Sequence, residues 1–268
     1  MALPPLRPAA PAWLRDLGGA WIFYSVLPAW PGLQPRFERI ARFAPCVGLV
    51  LGGLQGLLWW ALAGRVPPLA QTCLVVVAGL ALSGGLHMDG AMDTADGLAA
   101  GRRKLEAMSD SRVGAAGAQA LAVLVLLRVA ALTALGVLAP LPLAWAALWG
   151  RVAPLVAMAR FPYLRAGGSA AFHRHHWAGL GRELRPGLIA AAVLMAASLL
   201  LAGPGAALVG LGGIVPAWLV PLRLGHRLGG HTGDSYGASV EWCEVLALLL
   251  SAALLPAALQ LTAGIGAG

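Results

Sequence analysis

The chain contains 268 residues, of which 59% are hydrophobic and only 11% are charged, and its formal net charge is +8. A typical soluble domain carries roughly 25% charged residues, so this composition excludes an ordinary soluble protein. Because the sequence shows no separate soluble basic domain, the positive charge does not indicate DNA or RNA binding, and nucleic acid is not an expected partner.

Apolar segments suited to membrane spans recur along the chain. A helix needs about 20 mostly apolar residues to cross a hydrocarbon core of about 30 Å, and it satisfies its own backbone hydrogen bonds there. The pattern predicts an all-α fold, a polytopic integral membrane helical bundle that forms a single domain over residues 1–268. About seven spans fit best, within a range of six to eight, at residues 43–62, 69–86, 117–138, 143–160, 188–202, 207–222 and 243–262.

Three features refine this prediction. Residues 1–42 precede the first span and are expected to be cytoplasmic or interfacial, since residues 13–27 are too short and polar to span. The fifth and sixth spans are short, so they could instead form one helical hairpin that enters the membrane incompletely. In the first span, glycines recur every four residues, which predicts close approach of another helix; they are Gly48, Gly52 and Gly56.

The basic residues fall mostly on one side of the predicted bundle. With a cytoplasmic N-terminus, the predicted cytoplasmic segments hold 16 of the 19 basic residues: Arg7, Arg15, Arg36, Arg39, Arg42, Arg102, Arg103, Lys104, Arg112, Arg160, Arg165, Arg174, Arg182, Arg185, Arg223 and Arg227. The positive-inside rule therefore predicts this orientation. Every acidic residue is expected on the inner side or at an inner helix end, and the predicted outer loops contain no Asp, Glu or His. We therefore expect an active site at the cytoplasmic face.

The most informative segment is residues 84–114, which contains an acidic motif. Asp89, Asp93 and Asp96 are spaced i, i+4 and i+7, so on a helix they share a stripe about 60° wide. Carboxylates this close repel one another, and a hard divalent cation such as Mg²⁺, bridging to a phosphate, would offset that repulsion. Gly90 and Gly97 follow two of the aspartates and are expected to leave room for a ligand near the backbone.

The other polar residues of this segment are candidates for ligand binding, and most of them could have a structural role instead. Asp110 is a candidate fourth metal ligand or a helix cap, and Arg112 is a candidate phosphate-binding guanidinium. His87 points away from the aspartate stripe on a continuous helix, so either substrate binding or a structural role is expected. The cations that follow the helix could bind a diphosphate or simply set the topology; they are Arg102, Arg103 and Lys104.

Two further inner loops are candidates for substrate recognition. Residues 228–244 form a glycine-rich loop in which Thr232 and Asp234 either cap the last helix or contact a ligand. Residues 172–184 contain three histidines, namely His173, His175 and His176. Their spacing matches no standard metal site, so we expect contact with a phosphate or a headgroup.

Taken together, these segments resemble the cobalamin synthase family, whose members are also called adenosylcobinamide-GDP ribazoletransferases. The resemblance rests on GGLHMDG at 84–90, DTADG at 93–97, DSRVG at 110–114, and Gly229-Gly230 with Thr232-Gly233-Asp234. It implies a bacterial inner-membrane enzyme that joins adenosylcobinamide-GDP to α-ribazole, or to its 5′-phosphate, and releases GMP with Mg²⁺. Homo-oligomerisation is left open.

The resemblance suggests roles for the candidate residues in a displacement at the phosphorus nearest the corrinoid. Asp89, Asp93 and Asp96 are expected to be catalytic and, with Asp110, to bind Mg²⁺, and Asp96 is also the candidate general base. The expected nucleophile is the ribazole 5′-hydroxyl. The expected substrate-binding residues are His87, Arg102, Arg103, Lys104, Arg112, Thr232 and Asp234.

The sequence departs from the family pattern in places, and two other classes of protein also use acidic residues in a membrane. The family tends to have Thr-Arg-Leu-Pro where this chain has residues 25–28, SVLP, and Met92 and His231 replace a common alanine and glutamine. CDP-alcohol phosphotransferases have a similar D-x-x-D-G pattern, but the spacing of the following arginine differs here. A cation- or proton-coupled transporter should place its acidic residues at mid-bilayer within broken helices.

Overall fold

The computed structural model describes residues 10–165, 170 and 172–265, and these residues are almost entirely helical. Arg7 of the predicted N-terminal segment lies outside them. Within the described ranges there is no β-strand, only an isolated parallel bridge between Tyr163 and His231. The predicted all-α class is therefore confirmed.

The helices follow the apolar segments closely. Proline occupies the first or second position of four of them, where its missing N–H removes no helical hydrogen bond. The α-helices are α1 (Ala12–Tyr24), α2 (Ala44–Leu62), α3 (Pro68–Leu82), α4 (Leu86–Ala99), α5 (Lys104–Ala107), α6 (Ala115–Leu135), α7 (Pro140–Arg160), α8 (Phe172–His175), α9 (Leu180–Glu183), α10 (Arg185–Gly210), α11 (Ile214–Leu228) and α12 (Gly233–Ile265).

Five helical stretches are long and apolar enough to cross a membrane, and the bent pair α3–α4 makes up to six. Their outer faces are apolar and exposed, as at Leu126, Ile189 and Leu200. Such faces are suited to lipid, and the chain is a polytopic helical membrane protein. The number of crossings depends on the stretch from Arg185 to Leu228, which is counted once among the five.

The 44 residues from Arg185 to Leu228 cannot form one straight span, because at 1.5 Å per residue they would extend about 66 Å. Gly203, with φ 79° and ψ 179°, breaks the helix immediately before Pro204. Leu188, before the break, and Trp218, after it, line one groove together with Val152 of α7. The residues on either side of the break therefore pack against the same part of α7. The chain therefore turns back at Gly203, and the arms match the predicted fifth and sixth spans. If each arm crosses the membrane separately and the pair α3–α4 counts as one span, the chain has seven spans. The predicted number of seven spans therefore stays a prediction.

Helix α7 forms the centre of the bundle and is almost wholly buried. Its contact with α2 depends on the predicted glycine series. A Cβ atom on Gly52 would lie 2.5 Å from the Leu143 carbonyl oxygen, and one on Gly56 would lie 3.0 Å from that of Pro140. The predicted close helix approach is confirmed.

Within the described ranges, four charged side chains of α6, α7 and α12 pair with one another inside the bundle. Arg128 of α6 lies 2.9 Å from Glu241 and 2.7 Å from Glu244 of α12, and Glu244 also pairs with Arg151 of α7. The expectation that every acidic residue lies on the inner side or at an inner helix end is wrong for these glutamates. Helix α12 begins at Gly233 rather than at residue 243, so Glu241 lies about 12 Å along it. The four charges compensate one another.

The N-terminal helix α1 packs against residues 40–43 rather than standing apart. Buried Asp16 accepts hydrogen bonds from Nε and Nη2 of Arg36, both at 2.8 Å. Gly19 lies close to the backbone of Arg36 and the side chain of Ile40. With 13 residues, α1 is about 20 Å long, too short to span. Its interfacial location stays a prediction, but its C-terminal end helps to form the site described next.

Candidate active site at the junction of α4 and α12

A sharp turn between α3 and α4 positions the acidic motif. Gly84 and Gly85 both have positive φ, 64° and 72°, which favours glycine, and the two helices meet at 90°. The backbone N–H of Val26 donates to the Leu82 carbonyl at 3.0 Å, so the early segment packs against this turn. Helix α4 has 14 residues and lies outside the predicted spans.

The first turns of α4 pack directly on the first turns of α12. A Cβ atom on Gly90 would lie 2.5 Å from the Asp234 carbonyl oxygen, and one on Gly237 would lie 3.0 Å from the His87 carbonyl oxygen. We expected the space beside Gly90 and Gly97 to admit a ligand, which is wrong for Gly97, whereas Gly90 lines the cavity described below. At both glycines a neighbour occupies the place of the missing Cβ atom. The α12 backbone fills it at Gly90, and Met108 fills it at Gly97. The close packing brings the acidic motif to the glycine-rich loop.

A cavity of about 180 Å³ opens beside this junction. Asp89 and Asp234 line it, and so do His87 of the acidic motif and Arg151 of the central helix. Apolar and aromatic side chains from α1, α4, α7 and α12 form much of the remaining wall: Phe23, Tyr24, Leu86, Leu155, Met158, Tyr236 and Val240. The arrangement combines an acidic rim with an apolar interior.

The carboxylates near the rim repel one another. Partial burial, followed by the charges of Asp89, Asp234 and Asp96, raises the pKa of Asp93 to about 6. Arg165 opposes this effect, and its Nη1 lies 3.1 Å from Asp234. A cation held here would relieve the remaining repulsion.

Asp96 is turned toward α6 rather than toward the cavity. Its two carboxylate oxygens accept hydrogen bonds from the backbone N–H groups of Gly114 and Gly117, each at 2.8 Å. These N–H groups belong to the start of α6, where a negative charge is favourable. Asp96 thus fixes α4 to α6. The predicted stripe of three aspartates exists on α4, but the Asp96 carboxylate is already hydrogen-bonded to the start of α6.

Asp110 and Arg112 pair with each other on the surface. Nε and Nη2 of Arg112 donate to the Asp110 carboxylate at 3.0 and 2.7 Å, and Arg112 is 88% exposed. This hydrogen bonding lowers the pKa of Asp110 to about 2. Across the described ranges, no three Asp, Glu, His or Cys side chains form a ready-made metal site. The predicted set of four carboxylates is therefore not assembled.

The three predicted phosphate-binding cations lie beyond the end of α4, away from the cavity lining. Arg102 is exposed, and Arg103 makes a surface ion pair with Glu106 at 3.9 Å. Lys104 Nζ donates to the Arg227 carbonyl at 3.4 Å. Their role in substrate binding stays a prediction.

The glycine-rich loop positions Asp234 through a buried cap. The Thr232 hydroxyl accepts from the Ser235 N–H at 3.3 Å, and the Ser235 hydroxyl accepts from the Thr232 N–H at 2.8 Å. His231 Nδ1 lies 2.9 Å from the same hydroxyl. Gly229, with φ 81°, ends α11 just before this loop. Because Thr232 is fully buried, the structure gives it a capping position, whereas Asp234 reaches the cavity.

Several lining residues were not among the predicted site residues. An arginine inside an apolar span is costly, so Arg151 could have been singled out on that ground. Tyr24 gave no signal, and Arg165, which does not line the cavity but pairs with Asp234, gave only a topological one. Of the three loop histidines, His173 lines the cavity, whereas His175 is exposed and His176 lies 3.8 Å from Glu38.

The fold and this site define a polytopic membrane protein with carboxylates around an apolar cavity at one end of a helical bundle. The chain belongs to the cobalamin-5-phosphate synthase family, whose model matches residues 16–252. It is 61% identical to the adenosylcobinamide-GDP ribazoletransferase of Prochlorococcus marinus (strain MIT 9313), covering 92% of this chain and 99% of the relative. The ribazoletransferase of Thermosynechococcus vestitus is 43% identical, covering 86% and 93%. No solved structure matches the chain.

Proposed function

We propose that this protein is an Mg²⁺-dependent adenosylcobinamide-GDP ribazoletransferase. It would transfer the corrinoid phosphoryl group to α-ribazole, or to its 5′-phosphate, giving adenosylcobalamin, or its phosphate, and GMP. The observation that carries this proposal is the junction of α4 and α12, where Asp89 of the acidic motif and Asp234 line one cavity in a chain of this family.

The carboxylates at this site are suited to Mg²⁺, although fewer of them lie close together than the four that the sequence predicted. Mg²⁺ in phosphoryl-transfer sites is commonly held by one or two carboxylates together with substrate phosphates. Asp89 and Asp93 lie one turn apart, and the charge of Asp89 contributes to the raised pKa of Asp93. We assign these two as the metal ligands. When bound, the ion would neutralise charge on the diphosphate.

The remaining residues have distinct roles. A ribose hydroxyl attacks the phosphorus nearest the corrinoid, the bond from this phosphorus to the bridging oxygen breaks, and GMP leaves. If ribazole 5′-phosphate is a substrate, the 5′-hydroxyl that we expected is not the nucleophile, and a secondary hydroxyl takes its place. Asp234, which lines the cavity, would accept the hydroxyl proton instead of Asp96. Arg165, beside Asp234, would stabilise negative charge on the phosphates.

The proposed location is the bacterial inner membrane, with the N-terminus and the cavity on the cytoplasmic side. The support is the one-sided distribution of basic residues. Both substrates carry charged or strongly polar groups, and a site on this side would be open to water-soluble nucleotides.

The test is transfer by the purified protein in detergent, supplied with adenosylcobinamide-GDP and either α-ribazole or its 5′-phosphate. We expect GMP and the matching cobalamin product in equal amounts, with Mg²⁺ and not after chelation. A CDP-alcohol with a small alcohol acceptor serves as the control pair and should give no CMP. Transfer from the CDP-alcohol, or no cobalamin product from either acceptor, would overturn the proposal.

A further inference from the structure

The cavity and the two proposed substrates differ greatly in size. Pockets for drug-sized ligands commonly enclose about 300–1,000 Å³, so a cavity of about 180 Å³ accommodates only a small group. A corrin macrocycle with its amide side chains is far larger than a bicyclic base. The corrin must therefore stay outside, and the interior can receive a single ring system.

The interior is mostly aromatic and apolar, apart from the buried Arg151. Tyr24 and His87 are nearly parallel, with an interplanar angle of 18° and ring centroids 6.3 Å apart. Leu155 and Met158 of α7 also line the cavity. Such a wall favours a flat apolar ring system by burial of surface.

Two buried imidazole nitrogens in this lining lack partners. Nδ1 of His87 and Nδ1 of His173 have no hydrogen-bond partner among the described residues. The other nitrogen of His173, Nε2, lies 3.5 Å from the Tyr24 hydroxyl. Burial lowers the pKa of His173 to about 4, so its ring is neutral near pH 7 and can donate or accept. Buried polar atoms without partners are costly, which indicates a ligand with one or two ring heteroatoms.

We propose that this cavity binds the dimethylbenzimidazole base of α-ribazole, with the ribose hydroxyls at Asp89 and Asp234 and the corrin outside. The inference rests on the proposed function and adds which substrate, and which part of it, enters the bundle. Dimethylbenzimidazole is a flat, neutral bicycle with one free ring nitrogen. Guanine, the other bicyclic base in the reaction, presents five polar groups on its edges, more than the unpartnered nitrogens of His87, His173 and Arg151 in this lining could match.

The test uses a pair of matched substitutions. Ala41 lines the cavity and is 7% exposed, whereas Ala190 of α10 is 8% exposed and packs elsewhere against α7. Ala41→Val narrows the cavity, and Ala190→Val adds the same volume outside it. Transfer kinetics would be measured for each variant with α-ribazole and with its analogue that lacks the two base methyl groups. Direct binding of α-ribazole, without the second substrate, would be measured by calorimetry.

We expect Ala41→Val to raise the KM for α-ribazole about tenfold or more, since one misplaced methylene in an apolar pocket costs that much. The KM for the demethylated analogue should rise less, and that for adenosylcobinamide-GDP should not change. Ala190→Val should have the wild-type KM for α-ribazole, for the demethylated analogue and for adenosylcobinamide-GDP. Met158→Ala, which widens the cavity, should improve binding of α-ribosides with bulkier bases.

Two results would overturn the inference while leaving the proposed function intact. One is an active Ala41→Val variant that binds α-ribazole as Ala190→Val does. The other is a selective rise in the KM for adenosylcobinamide-GDP together with weaker inhibition by GMP, which would place guanine in the cavity. A wild-type protein that neither transfers nor binds α-ribazole would remove both proposals.

Discussion

At the scale of single residues, three aspartates on one helix face have different surroundings. Asp89 lines the cavity, Asp93 is half-buried near three other carboxylates, and Asp96 accepts two backbone hydrogen bonds from α6. Spacing alone made them equivalent, because i, i+4 and i+7 positions share a stripe. The neighbouring helices make them different.

The first prediction separates Asp234 from Asp96. Asp234→Asn should lower kcat strongly with little change in thermal stability, because the amide cannot accept the hydroxyl proton. Asp96→Asn should lower stability by about 1–3 kcal/mol, since an amide N–H₂ would face a backbone N–H. Turnover and apparent Tm would be measured for both. Glu106→Gln, a surface change, is the control. Normal turnover by a folded Asp234→Asn variant would exclude the proton-acceptor role.

The second prediction uses the raised pKa of Asp93. Since this pKa is about 6 in the folded protein and near 3.8 otherwise, ionisation of Asp93 disfavours the folded state. The stability that Asp93 contributes is complete below pH 3.8 and is lost as the pH rises through 6. Without divalent cations, the Tm of the wild type relative to Asp93→Asn should therefore fall from pH 4 to pH 6.5.

Mg²⁺ should reverse this trend if Asp93 is a ligand. Added at pH 7, the ion should raise the Tm of the wild type more than that of Asp93→Asn, because it binds the ionised carboxylate. Ca²⁺ and an ionic-strength control would show whether the effect is specific. An equal Mg²⁺ shift in both proteins would argue against Asp93 as a metal ligand.

At the scale of helices, the junction of α4 and α12 depends on glycine. Gly90→Ala would place a methyl group 2.5 Å from a backbone oxygen of α12, an overpacking that costs about 1–3 kcal/mol. We expect a lower Tm and a large loss of activity, since Asp89 and Asp234 would move apart. Gly53→Ala on α2 is the matched control, because its added Cβ meets no atom within 4 Å. If Gly90→Ala retains full activity and Tm, the close junction is not required.

The sequence predicted the helices better than their ends and breaks. The apolar spans and the contact of Gly48, Gly52 and Gly56 were predictable, because both follow from local periodicity. The turn at Gly84 was not, since the apolar pattern runs on to residue 86. The start of α12 was placed ten residues late, because Glu241 lies before the apolar run and Glu244 lies at its start, where charges indicate the edge of a span. Their partners, on α6 and α7, are visible only in three dimensions.

At the scale of the whole molecule, the orientation gives the fourth prediction. In a background without Cys46, Cys73 and Cys243, a cysteine at position 104 should react with a membrane-impermeant maleimide only from the cytoplasmic side. A cysteine at position 140 should react from the opposite side. The physical reason is the one-sided distribution of arginine. The reverse labelling pattern would exclude a cytoplasmic site. Labelling of single cysteines placed before and after Gly203 would show how many times the stretch from Arg185 to Leu228 crosses the membrane.

The buried pairs among Arg128, Arg151, Glu241 and Glu244 also bear on how the protein is made. Helix α12 leaves the ribosome after α6 and α7, and it brings two carboxylates whose counter-charges were inserted earlier on those two helices. Until α12 packs, those arginines lack partners, and α12 alone is a poor candidate for stable insertion. Biogenesis should therefore be strongly ordered, with α6 and α7 staying near the insertion machinery until α12 neutralises their arginines. A chain that ends before α12 would expose two unpaired cations to lipid, which gives quality control a feature to detect.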